Sequence, residues 1–275
     1  MLRNQTKKIA GRAYQVFHDD SSGYKGLMPK LRESGCTPVG VSFLMQARLE
    51  TIDRSNREEG FWLNNLFSTS DGIAYRGQRF KVVLNAQPLL DITLDAKLNE
   101  SQSDRKYREW DDRLSCGGMK SVPQGMVVEV IREYESPERL QCGRGALILT
   151  SEQYDKLEGE EFSREEVERQ GFPFETHLTI DQAKKHPVIR ALVRDQHLLD
   201  AYVETMSTEG KRRYNYDRIM CVFPLRQKDV HKDDPTMLAV SIGGLQEGRS
   251  DISAFESLGF DPRLSEIYLV GKSPK

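Results

Sequence analysis

The stretch LLDITLDAKL, residues 89–98, gathers the most suggestive side chains in the chain. Asp91, Asp95 and Lys97 alternate with Leu90, Ile92, Leu94 and Ala96, and in an extended strand that alternation sends the polar set to one face and the apolar set to the other. Two carboxylates and an ammonium on one face suit a Mg²⁺ ion and phosphate chemistry: Mg²⁺ prefers carboxylate oxygens, and a lysine can orient water or offset phosphate charge. The simpler reading is the wet face of a half-buried strand, because burying several ionised groups is costly without a compensating ion. It places Leu90, Ile92 and Leu94 in the core and Asp91, Asp95 and Lys97 in solvent, with no metal.

Two further acids bear on the choice. Asp71 lies upstream at the mouth of a strand-like segment, and Glu129 is surrounded by Val127, Val128, Val130 and Ile131 in MVVEVI, where a carboxylate must be paired or protonated. Asp71, then D-x-K at Asp95 and Lys97, then a polar stretch and the MVVEV strand, resembles the core of PD-(D/E)xK nucleases. That resemblance implies a Mg²⁺-dependent nuclease using Asp71, Asp95, Lys97 and Glu129. It departs from the pattern where Ser70 replaces the proline before the first acid and where Asp95 stands for the more usual glutamate.

FSTSDGIAYRG offers a second enzymatic reading. Its Ser-Thr-Ser resembles the nicotinamide-side motif of arginine-type mono-ADP-ribosyltransferases, which implies NAD as co-substrate, an upstream strand at YKG (residues 24–26, with lysine for arginine) and Glu129 as the downstream acid. The same hydroxyls before a strand are ordinary turn chemistry. The five histidines do not gather into a ligand set, and CGG and CGRG lack a phosphate-loop spacing.

These residues need elements to hold them. Residues 1–36 read as a basic, loosely structured arm, interrupted by Gly23, Gly26, Pro29 and Gly35. Thr37 and Pro38 suit an N-cap and first turn, which predicts a helix over 38–53, followed by a short one through EEGFWLNNLF. A hairpin turning at Gly77 joins IAY to FKVVL, with residues 89–98 as its third strand. Strands are expected at 126–133 and 145–150, and a charged helix or loop between 99 and 113. Helices open TSEQYDKL and SREEVERQG, and one long helix is expected over 187–207, burying Val188, Leu192, Leu199, Val203 and Met206 and ending at Gly210. Strands RIMCVFPL, MLAVSI and EIYLVG close the chain between 214 and 271.

The order predicts an α+β fold, a largely antiparallel (mixed) sheet with helices packed on one face, forming a single domain over 37–275. A net charge of −2 with 37% hydrophobic residues describes an ordinary globular chain. No run is long enough to span a bilayer. Cys36, Cys116, Cys142 and Cys221 lack disulfide-framework or zinc spacing, so free thiols and a cytoplasmic location are expected. The first 50 residues hold eight Lys/Arg against four Asp/Glu; solvated surface charge is favoured over nucleic-acid binding through the arm. The preferred function is recognition or regulation of an unknown ligand; enzyme status stays open, Mg²⁺ is implied only by the nuclease reading and NAD only by the transferase reading, and no membrane partner is expected.

Overall fold

The segment expected as a loose arm instead forms one edge of the sheet. In a computed structural model, which describes residues 3–9, 12–19, 23–53, 59–99, 145–174, 176–216, 220–223, 235–245, 250–254, 258 and 267–273, strands β1 (Arg3–Ile9) and β2 (Arg12–Asp19) pair as an antiparallel hairpin. Helix α1 (Gly23–Glu33) follows, despite Gly26 and Pro29. The reason is periodicity: Tyr24, Leu27, Met28 and Leu31 form one buried stripe, and its burial outweighs the hydrogen bond that Pro29 forfeits. The expected strand at 126–133, Glu129, Cys116 and Cys142 lie outside the described residues.

Strand β3 (Thr37–Pro38) pairs with β12 (Ile267–Lys272), so the next helix starts later than Thr37 and Pro38 suggest: α2 spans Val41–Asp53. Helix α3 (Glu59–Asn64) leads into β4 (Phe67–Arg76), which turns at Gly77 (φ 58°) into β5 (Arg79–Val83), as expected. The third strand of that hairpin is a correction. Residues 87–90 form a short helix, α4 (Gln87–Leu90), with a proline in its first turn, and regular pairing resumes only at β6 (Leu98–Asn99). β5 pairs instead with β8 (Glu160–Ser163).

After β7 (Ala146–Ile148) come α5 (Ser151–Lys156), β8, α6 (Arg164–Arg169), α7 (Ile180–Lys185), α8 (Pro187–Val193) and α9 (Gln196–Tyr214). Thr150 caps α5 through a complete capping box with Gln153. Strands β9 (Val222–Phe223), β10 (Thr236–Ile242), β11 (Ile252–Ser253) and β12 complete the order β1-β2-β12-β4-β10-β11-β9. The β12–β4 and β11–β9 pairings are parallel and the others antiparallel, so the sheet is mixed and mostly antiparallel in an α+β fold.

The helices do not form a single layer. Gly271 approaches Leu31 and Cys36 near the end of α1, whereas the neighbouring Lys272 lies over Phe43 of α2. Successive residues of a strand point to opposite sides, so α1 and α2 cover opposite faces. Central strands are apolar on both sides for the same reason: Leu269 and Val270 are both buried, as are all residues of β10. The buried guanidinium of Arg48 ties α2 to α3 and α9, donating to the Trp62 and Asn65 carbonyls, Tyr202 Oη and Ser250 Oγ. No helix among the described residues is long and apolar enough to cross a membrane.

Candidate functional site

Asp71 sits on β4 and is buried, with both carboxylate oxygens engaged by backbone donors. Val41 N–H donates to Oδ2 at 2.7 Å and Asn85 N–H to Oδ1 at 3.0 Å. Its carboxylate therefore caps α2 from another element, and Gly40 leaves the space it needs: a Cβ there would stand 2.6 Å from Oδ2. Burial raises the Asp71 pKa, while the two backbone donors and the charge of Arg194 pull it back. Tyr24, buried beside it, donates to the Thr69 carbonyl at 3.0 Å; its phenol is held well above its ordinary range by burial and then by Asp71.

The other expected residues stand apart from this arrangement. Asp91 is exposed, accepts from Gln87 at 2.6 Å and pairs with Arg32 at 2.5 Å. Asp95 and Lys97 are exposed in the turns after α4; Asp95 accepts from Thr93 Oγ1 at 2.6 Å, which lowers its pKa, helped by Lys25. Ile92 is buried, Leu90 is half-buried and Leu94 is 57% exposed, so the expected core row holds at Ile92 and fails at Leu94. Among the described residues no group of three or more His, Cys, Asp or Glu side chains is placed to hold a metal ion.

The Ser-Thr-Ser hydroxyls are also engaged. Ser68 bonds Ser241, Thr69 donates to the Val240 carbonyl and Ser70 donates to Asn85 Oδ1, all from buried positions. Tyr24, Lys25 and Gly26 lie on a helix, where the transferase layout has a strand. Lys7 lies over the Phe61 ring at 4.5 Å, on a paired strand.

A second group of polar side chains lies where the expected long helix breaks. α8 ends at Val193, Arg194 adopts a left-handed backbone (φ 58°), and Asp195 starts α9 by accepting the Leu198 N–H at 3.0 Å. α9 then passes Gly210 and ends at Asn215, also left-handed. The missed signal was Asp195 as an N-cap inside an otherwise unbroken apolar period. A cavity of about 290 Å³ opens at the break, lined by Arg190, Arg194, Gln196, Leu199 and, from the start of β8, Glu160. Gly159 lets β8 approach: a Cβ there would meet the Val82 carbonyl oxygen at 2.5 Å.

Next in the chain to Pro187 of the cavity lining, His186 joins α7 to α8, fully buried between Phe172 and Phe174. Burial pushes its pKa down to about 4, against the Pro173 backbone. Cys221, also buried, places Sγ 3.4 Å from His177 Nδ1. Neither histidine belongs to a ligand cluster among the described residues.

No protein-family model and no curated protein matches the sequence. Among solved structures the chain is similar to one from Nanoarchaeota, described as accommodating massive sequence variation by the C-type lectin fold. The TM-score is 0.53 and the identity 12%, over 96% of this chain and 99% of that one. At that identity the likeness speaks for the fold alone: the chain is α+β, with a C-type lectin-like fold as a distant neighbour.

Proposed function

We propose that this chain is a recognition protein that binds a small ligand bearing an anionic group in the cavity between α8 and α9. The observation that carries the reading is Arg194. Its left-handed backbone is one that glycine adopts freely and that costs other residues about 1–2 kcal/mol. The other non-glycine residues with positive φ among the described ones, Asn85 and Asn215, are of a type that tolerates it. An arginine held there at a cost, one helical turn beyond Arg190 on the same cavity, points to a side chain kept for its guanidinium.

Three other features agree with recognition. Arg190 and Arg194 are both exposed in the cavity lining, and although Arg194 also acts on Asp71, two guanidiniums one helical turn apart suit a carboxylate or phosphate. The cavity is close to the lower end of small-ligand sites and has Leu199 in its wall. The structural neighbour is described as accommodating massive sequence variation, a property that suits a binding scaffold. Cys36 is a buried free thiol, which supports a reducing, intracellular setting.

The test compares wild type, Arg190→Gln and Arg194→Gly in thermal-shift and calorimetric titrations with carboxylate and phosphate compounds. Glycine relieves the backbone cost but takes back about 0.4–1 kcal/mol through the unfolded chain, so Arg194→Gly folds as stably as wild type or slightly more so. Its ligand response is lost. A variant that is clearly destabilised, or that binds as wild type does, refutes the assignment.

A further inference from the structure

The cavity lining carries charge of both signs, from Arg190 and Arg194 at the end of α8 and from Glu160 on β8. Glu160 faces it from β8, while the next residue, Glu161, pairs with Arg79 at 3.4 Å, as the alternation of a strand requires. Other charged side chains find partners within the protein: Arg76 with Asp155, Arg164 with Glu168 and Lys184 with Glu204. Glu160, Arg190 and Arg194 share one cavity of about 290 Å³ and are exposed; Arg194 also acts electrostatically on Asp71. Asp195, also in the lining, is engaged as the cap of α9.

We infer that the cavity takes a zwitterionic small molecule of the free α-amino-acid class, its carboxylate on Arg190 and Arg194 and its ammonium on Glu160. The inference rests on the recognition reading above and adds the ligand's second charge. A purely anionic ligand meets the repulsion of Glu160, and a purely cationic one that of two guanidiniums; a zwitterion satisfies both sets. The apolar wall from Ala191, Val193 and Leu199 then meets the ligand's side chain, which sets preference among amino acids.

The experiment titrates the full chain by thermal shift and calorimetry with the twenty proteinogenic L-amino acids, then with the N-acetyl and C-terminal amide forms of the best binder, and with inorganic phosphate. At least one free amino acid is expected to bind, and blocking either charged end weakens it by about tenfold or more, the size of a lost hydrogen bond to a charged group. Glu160→Gln weakens the free amino acid by a similar factor and leaves the N-acetyl form unaffected; Arg190→Gln leaves the amide form unaffected. Phosphate or the N-acetyl form binding as tightly as the free amino acid, indifferent to Glu160→Gln, overturns the zwitterion inference and leaves an anion pocket standing. Silence across every compound, with all variants folded, overturns both.

Discussion

Replacing Asp71 separates a structural carboxylate from a chemical one. In Asp71→Ala the backbone N–H groups of Val41 and Asn85 lose their acceptor; the buried Val41 donor costs about 1–3 kcal/mol and the part-buried Asn85 donor less. Removing a carboxylate whose pKa is raised by burial offsets part of this, so the net loss is about 2–4 kcal/mol. Asp71→Asn keeps one acceptor oxygen and turns an NH₂ toward the other donor, for a loss of about 1–3 kcal/mol. Gly40→Ala drives a Cβ to 2.6 Å from Oδ2 and displaces the same carboxylate, so its cost and that of Asp71→Ala are less than additive. Urea unfolding followed by tryptophan fluorescence gives the free energies, and hydrogen exchange reads the Val41 and Asn85 amides directly. An unchanged midpoint in Asp71→Ala, with both amides still protected, refutes the capping role and reopens Asp71 as a functional acid.

Acid should destabilise the fold through His186. Its folded pKa of about 4 lies below the ordinary 6.5, so the unfolded chain takes up the proton first. Stability falls as pH drops from 6.5 to about 4, by about 3 kcal/mol at 1.36 kcal/mol per unit. Comparing wild type with His186→Phe by denaturant titration across that range checks it, and equal pH slopes count against it. Leu199→Ala should cost about 2–5 kcal/mol, because the side chain is buried against the α8–α9 junction; a loss below 1 kcal/mol by equilibrium unfolding counts against that packing. Gly244→Ala places a Cβ 2.4 Å from the Asn64 carbonyl oxygen and should cost about 1–3 kcal/mol, read as a lowered melting temperature.

What could be read from sequence was local. Val188, Leu192, Leu199, Val203 and Met206 are buried as their spacing requires, and the Gly77 turn and Thr150 cap stand where their residue types put them. The arm looks irregular in sequence because Gly26 and Pro29 interrupt the Tyr24-Leu27-Met28-Leu31 stripe that makes it a helix. LLDITLDAKL alternates like a strand, but Pro88 starts a helical turn and Arg32, from a distant helix, holds the Leu90 carbonyl and Asp91. Asp71 was visible as an acid, and its role was not, because its donors lie 30 and 14 residues away. The Arg190 and Arg194 spacing was present in the sequence, but the left-handed residue that opens the cavity has no glycine to announce it.

The placement of β12 between β2 and β4 sets the order in which the sheet can be made. Tyr268 pairs with His18 on one side and with Phe67 on the other, so β2 and β4, both laid down early, wait for a strand from residues 267–272. During synthesis from the N-terminus, β2 and β4 must persist with open edges until that strand emerges, and open edges invite pairing with other chains. The join spans nearly the whole described sequence, and contacts of such long separation form slowly. Production of this protein is therefore most exposed to aggregation in its last step, and a chain ending before residue 267 would carry that exposure permanently.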